Sequence, residues 1–182
     1  VLMADSQAAL SSSALTLTMG SMGTVGISRA GGFNINGAYD ETYPRAYEEN
    51  SDAGGQSPSN YVGSTSDDNA IIYSSPAFDI GGASLNFGVE YSLDAGATTG
   101  KDGVVSASSP LTQNALGVGA TVAVAGLTFG AYAEQIDKTD VQNDQDAYFT
   151  THDEFNGSWF ANYNFGPVSV GYQQAYTDTG GV

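Results

Sequence analysis

Ser84-Leu85-Asn86-Phe87-Gly88-Val89-Glu90-Tyr91-Ser92-Leu93 is the stretch that decides the fold. Leu85, Phe87, Val89, Tyr91 and Leu93 fall on one side of an extended chain, and Ser84, Asn86, Gly88, Glu90 and Ser92 fall on the other. A period of two belongs to a strand whose faces meet unlike surroundings. The pattern recurs downstream. Leu116, Val118, Ala120, Val122 and Val124 oppose Gly117, Gly119, Thr121 and Ala123, and Leu127, Phe129, Ala131 and Ala133 oppose Thr128, Gly130, Tyr132 and Glu134. Phe155, Gly157, Trp159, Ala161, Tyr163 and Phe165 oppose Asn156, Ser158, Phe160, Asn162 and Asn164, and Val168, Val170, Tyr172 and Tyr176 oppose Ser169, Gly171, Gln173 and Ala175. Upstream, Leu15, Leu17 and Met19, then Val25 and Ile27, then Ile71 and Tyr73 mark apolar faces of shorter strands.

Eight strands are expected, in hairpins over 11–29, 69–93, 114–136 and 155–177. Tight turns at Gly20-Ser21-Met22-Gly23, Pro76 to Gly82, Ala125-Gly126 and Gly166-Pro167 alternate with long connections over 30–68, 94–113 and 137–154. Such alternation is what a transmembrane barrel requires, with short turns at one membrane face and long loops at the other. A soluble sandwich imposes no such rule. Fifteen of the twenty acidic residues lie in the three long connections, which agrees. The polar faces carry Asn, Ser, Thr, Gly and Glu90, an unsuitable lining for a packed core but a suitable one for a water-filled lumen. Tyr91, Phe165, Tyr176 and Phe78 fall near strand ends, where aromatic girdles meet the membrane interface. The fold class is therefore all-β: one antiparallel transmembrane β-barrel domain over 1–182, closed because lipid tolerates no unpaired strand edge.

Composition narrows the function. The chain has 182 residues, with 20 Asp and Glu against 4 Lys and Arg, a formal net charge of -16. Nucleic-acid binding needs basic patches to displace counterions from phosphate, so that class is excluded. With no Cys and 24 Gly, 11 Tyr and 8 Phe, disulfides, metal thiolates and Cys nucleophiles are absent and a glycine- and aromatic-rich β protein is indicated. No apolar run reaches the roughly 18 residues of a membrane helix, which leaves a barrel untouched. The opening VLMADSQ and the closing DTGGV read as internal sequence, so a partial chain is expected.

The connection AGGFNINGAYDETYPRAYEENSDAGGQSPSNYVGSTSDD, residues 30–68, is the functional candidate. Connections beyond about 15 residues are uncommon in compact domains and are usually functional or disordered. This one carries Phe33, Ile35, Tyr39, Tyr43, Tyr47 and Tyr61, groups able to pack against a wall. Asp40, Glu41, Glu48, Glu49 and Asp52 sit among them with one cation, Arg45. A loop both adhesive and acidic suits a segment folded onto or into the scaffold.

LTLTMGSMGTVGISRAGG, the long acidic loop and then DNAIIYSSPAF resemble the Gram-negative general diffusion porins, particularly the alphaproteobacterial type. ALGVGATVAVAGLTFGAYAEQ and SWFANYNFGPVSVGYQQAY are similar to that family's later hairpins. The resemblance implies a 16-stranded barrel, of which eight strands are half. It also implies a homotrimer in the bacterial outer membrane, among its lipid and lipopolysaccharide, with the long loop narrowing each pore. The arginine and lysine ladder that such porins often place opposite the loop has one strand-borne counterpart here, Arg29.

On that reading the protein passes small hydrophilic solutes and ions passively, without catalysis. Asp40, Glu41, Glu48, Glu49 and Asp52, with Arg45, are the expected constriction charges. Cation preference follows, because a ring of acids concentrates cations and repels anions. Arg29, Glu90 and Glu134 are the expected lumen charges. No cofactor is required. Asp140, Asp144 and Asp146, in an oxygen-rich connection, are candidate calcium ligands, although the spacing is not that of an EF-hand. His152 is the sole histidine, and no serine sits in a G-x-S-x-G elbow, so a hydrolytic triad is not indicated. The competing reading is an acidic calcium-binding, structural or adhesive β-barrel, or a secreted β-sandwich; the sandwich would place Leu85, Phe87 and Val89 in a packed core.

Overall fold

The computed structural model describes residues 13–29, 35–39, 42, 70–92, 113–138 and 153–178. Its strands are β1 (Ser13–Thr18), β2 (Thr24–Arg29), β3 (Ala70–Ser74), β4 (Phe78–Ile80), β5 (Ala83–Ser92), β6 (Gln113–Val124), β7 (Leu127–Lys138), β8 (Glu154–Phe165) and β9 (Val168–Asp178). They form one antiparallel sheet in the order β1-β2-β3-β5-β6-β7-β8-β9, with β4 also paired to β5. Each strand lies beside its chain neighbour, the up-and-down arrangement of a barrel wall. The sheet is open, and β1 and β9 are its edges.

The additional strand corrects one expectation. Residues 76–82 are not all turn, because Phe78–Ile80 returns to the ladder. Ser74 pairs with Gly88 and Phe78 with Leu85, so Ser75, Pro76 and Ala77 stand opposite only Asn86 and Phe87. That mismatch is a β-bulge, placed where proline has no N–H to give the ladder. Ser75 repairs the gap: its N–H donates to the Phe87 carbonyl at 2.8 Å, and its Oγ accepts the Phe87 N–H at 2.8 Å. β3 and β4 are thus one interrupted strand, and the sheet keeps eight positions across. The turn itself is Gly81-Gly82, with φ of 63° and 89°, the doubly left-handed geometry of a tight hairpin.

Burial is inverted relative to a water-soluble sheet. On the apolar face Leu15 and Leu17 are 62% and 64% exposed, whereas on the polar face Glu90 and Glu134 are each 0% exposed. Phe87, which a sandwich would bury, is exposed on the apolar face. A contiguous exposed apolar surface of this extent is what a lipid-facing wall presents. Aromatic rings mark both rims and also the middle of the wall, where Trp159 meets Phe129 and Tyr172. Tyr73 and Phe78 each contact Phe87 toward the tight-turn end, and Tyr163 contacts Phe165 there. Phe155 and Tyr176 meet near the long-loop end. From Phe155 to Phe165 is about 33 Å of strand, or about 25 Å across a bilayer at a tilt of about 40°, the height of an outer-membrane apolar band.

The buried apolar residues Ile35, Tyr39, Ala70, Ile72, Tyr132 and Phe160 form one cluster. It lies on the polar side of the sheet, where part of the first long connection rests against the wall.

Candidate functional site

The wall is prepared for that contact by its register. Glu90, Gly117, Glu134 and Asn156 are successive cross-strand partners and form one row over β5 to β8. Gly88, Gly119, Tyr132 and Ser158 form the next row, and Thr121, Gly130, Phe160 and Gln173 the row beyond. Glycines at 88, 117, 119 and 130 leave a trench in the polar face. A Cβ on Gly88 would lie 2.8 Å from Ile35 Cγ2, and one on Gly119 would lie 2.6 Å from Tyr39 Cζ. On Gly117 it would lie 2.8 Å from the Glu90 carboxylate, and on Gly130 it would strike the Phe160 ring. Glycine is the one residue type that permits so close an approach.

Residues 35–39 and Thr42 cross the trench from β5 toward β9. The Ile35 N–H donates to Glu90 Oε2 at 2.9 Å, and the Tyr132 hydroxyl donates to Glu90 Oε1 at 2.6 Å. A short 3-10 turn, Asn36–Ala38, then carries the chain to Tyr39. The Tyr39 ring stacks on Tyr132 with centroids 5.5 Å apart and lies tilted against Phe160 at 6.3 Å. Its carbonyl accepts from Ser158 Oγ and from Gln173 Nε2, each at 3.0 Å. The other side of the same Gln173 amide accepts the Thr42 N–H at 2.7 Å and the Thr42 hydroxyl at 2.9 Å. Asn162 Nδ2 donates to the Thr42 carbonyl at 2.7 Å. Gln173 therefore stands between the carbonyl of residue 39 and the N–H of residue 42, the pair that would close a β-turn on its own.

Electrostatics favour the docked phenol in its neutral form. Burial pushes the Tyr39 hydroxyl above its ordinary value of 10.0, and the negative charge of Glu90 adds to the rise. The hydrogen bond with Thr121, at 3.5 Å, opposes it.

Of the residues singled out from the sequence, Glu90 and Glu134 lie on the polar face, both fully buried. Glu134 Oε2 accepts from Asn156 Nδ2 at 3.4 Å, and Glu154 Oε1 accepts from the same nitrogen at 3.3 Å. Arg29 closes β2 opposite Ser13. Asp40, Glu41, Arg45, Glu48, Glu49 and Asp52 lie outside the described residues, as do the candidate calcium ligands Asp140, Asp144 and Asp146. Among the described residues no group of three or more His, Cys, Asp or Glu is arranged to hold a metal. Ile35 and Tyr39 were recognisable in the sequence as packing groups. Tyr132, Ser158, Phe160, Asn162 and Gln173 were not; the one signal near them was the recurrence of glycine on the polar faces of β5 to β7.

The arrangement binds a loop to a wall. The family model described as Gram-negative porin matches residues 4–182. No curated protein and no solved structure matches the chain significantly.

Proposed function

The chain belongs to the Gram-negative porin family, channel proteins of the bacterial outer membrane, and from that premise we propose that it forms a water-filled, cation-preferring pore for passive diffusion of small hydrophilic solutes. The observation that carries this reading is the direction in which the long connection folds. Ile35, Tyr39 and Thr42 are held on the polar face, opposite the exposed apolar face, so the described part of the loop lies on the lumen side of the wall. Asp40 and Glu41 are the two residues between the anchored Tyr39 and Thr42, and Arg45, Glu48, Glu49 and Asp52 follow within ten positions of Thr42. Fixed acids on a loop inside a pore attract cations and repel anions. The protein acts among outer-membrane lipid and lipopolysaccharide as a homotrimer, and the work is done by pore radius and fixed charge.

Reconstitution of the purified protein in a planar bilayer tests the proposal. Ohmic single-channel steps with a cation-selective reversal potential in a salt gradient are expected. Joint replacement Glu48→Gln and Glu49→Gln should move the reversal potential toward zero at little change in conductance. Folded, inserted protein that passes no current would refute the pore, and unchanged selectivity in the double variant would refute the loop as its filter.

A further inference from the structure

Glu90 is a carboxylate at the β5 end of a row on the polar face, where a free charge would tune ion flow. Its surroundings suit a different task. Its side chain is fully buried, one oxygen accepts the backbone N–H of Ile35, and the other accepts the Tyr132 hydroxyl. Gly117, beside it in the row, leaves the space that the Tyr132 hydroxyl and the Glu90 side chain fill, since a Cβ there would strike both. Gly88, two residues before Glu90, makes the seat for Ile35. The far end of the docked limb is held differently, by the amides of Gln173 and Asn162 and the hydroxyl of Ser158.

We propose that Glu90, braced by Tyr132, is a positioning residue: it latches the entering limb of the loop at Ile35 against the wall and thereby sets the free cross-section of the pore. The proposal rests on the pore reading above and goes beyond it by assigning a buried wall carboxylate to loop placement and not to ion contact. A limb held flat on the wall leaves the lumen at its widest. A limb released at Ile35, with the Gln173 end still attached, swings toward the axis and obstructs flow. Losing the Ile35 N–H bond to the Glu90 carboxylate raises the released population roughly tenfold to a hundredfold.

The test is single-channel recording of the full chain in planar bilayers, with folding verified by the emission of Trp159, the only tryptophan. Glu90→Ala should lower mean conductance roughly twofold or more and add flicker, because the narrowing would then depend on a mobile limb. Glu90→Gln, which keeps an acceptor for the Ile35 N–H, should fall between Glu90→Ala and the parent, and Tyr132→Phe should give a milder form of the same flicker. The chain has no cysteine, so a covalent substitute for the latch can be installed cleanly. A Cβ on Gly88 would lie 3.3 Å from Ile35 Cβ, close to the roughly 3.5–4.5 Å of a disulfide. Ile35→Cys with Gly88→Cys, added to Glu90→Ala, should restore steady, parent-like current when oxidised and lose it on reduction. Steady parent-like current from Glu90→Ala alone would overturn the proposal, as would a shift in selectivity without flicker. So would a defect that the oxidised pair leaves uncorrected, since that would mark general damage to the wall. Silence from the folded parent protein would instead defeat the pore reading itself.

Discussion

Gly119→Ala is the sharpest test of the docked loop, because its sign depends on one ring. A Cβ at residue 119 would lie 2.6 Å from Tyr39 Cζ and 2.7 Å from its hydroxyl oxygen, whereas carbon contacts settle near 3.5–4.0 Å. The ring would have to retreat by about 1 Å. It has little room, since it stacks on Tyr132 at 5.5 Å and its own carbonyl is held by Ser158 and Gln173. Expulsion would expose a ring that is now 4% accessible. About 150–200 Å² at about 25 cal/mol per Å² makes that cost at most about 4–5 kcal/mol. A strained shift costs about 1–3 kcal/mol. The smaller cost decides the response, so Gly119→Ala should destabilise the folded protein by about 1–3 kcal/mol.

The backbone argues the other way. Gly119 is not in the left-handed region, and replacing glycine by alanine inside a strand gains about 0.5–1 kcal/mol when nothing obstructs the methyl group. In a Tyr39→Ala background the three atoms nearest that methyl group are gone, so the same substitution should become stabilising. Urea unfolding from vesicles, followed by the fluorescence of Trp159 on the outer face, measures both backgrounds without a probe in the loop. Equal free-energy changes in the two backgrounds would refute the docking geometry, since the atoms nearest a Cβ at residue 119 all belong to Tyr39.

Val118→Arg and Asn86→Arg compare the two faces: the first places a charge on the apolar side and should cost about 2–4 kcal/mol of folding into vesicles, while the second faces the lumen and should cost less than about 1 kcal/mol. Similar costs would mean that the wrong face has been assigned to lipid. Ser75→Ala removes the acceptor for the Phe87 N–H at the bulge and should destabilise by about 1–3 kcal/mol, with hydrogen exchange accelerated at Phe87 more than at its neighbours. Tyr39 gives a pH signature: because its phenol is pushed above 10.0 when docked, docking is fully present below that ordinary value and is lost as pH climbs from it through the raised one. Channel noise should stay flat up to about pH 10 and rise above it, and Tyr39→Phe should abolish the rise.

The strands were legible because a barrel wall writes its two environments into alternate residues. Leu85 to Tyr91 could be assigned to one face with no knowledge of any partner strand. The bulge was not legible, because Pro76 reads as a turn until the register of β3 and β4 against β5 is known. The docking trench was hidden for a related reason. Gly88, Gly119 and Tyr132 are far apart in the chain and become neighbours only through cross-strand pairing. Each glycine alone is an unremarkable small residue on a polar face. The acidic character of the loop was visible, but among its described residues the groups that meet the wall are on Ile35, Tyr39 and Thr42, which carry no charge. What attracts an ion and what holds a loop are different chemistries, and composition displays only the first.

The same register explains why residues 35–39 and Thr42 lie at mid-height. On β5 the polar face passes from exposed Asn86 to buried Gly88, and on β6 it passes from half-buried Thr121 to buried Gly119. On β7 the change falls between Thr128 and Gly130, and on β8 between Asn162 and Phe160. These steps lie close to one level across four strands, because Gly88 pairs with Gly119, and Gly130 with Phe160. Toward the tight turns, Ser84, Asn86, Asn164 and Ser169 stay exposed. A solute entering from that side meets open polar wall for roughly half the strand length before reaching the loop, about 15 Å at a tilt of about 40°. On the proposed pore reading, a narrowing at that level would limit resistance to a short segment and let permeation be selective while remaining fast. Glycines at 88 and 119 set that level, since bulkier residues there would press on Ile35 and Tyr39, while Gly130 makes room for the Phe160 ring beside Tyr39.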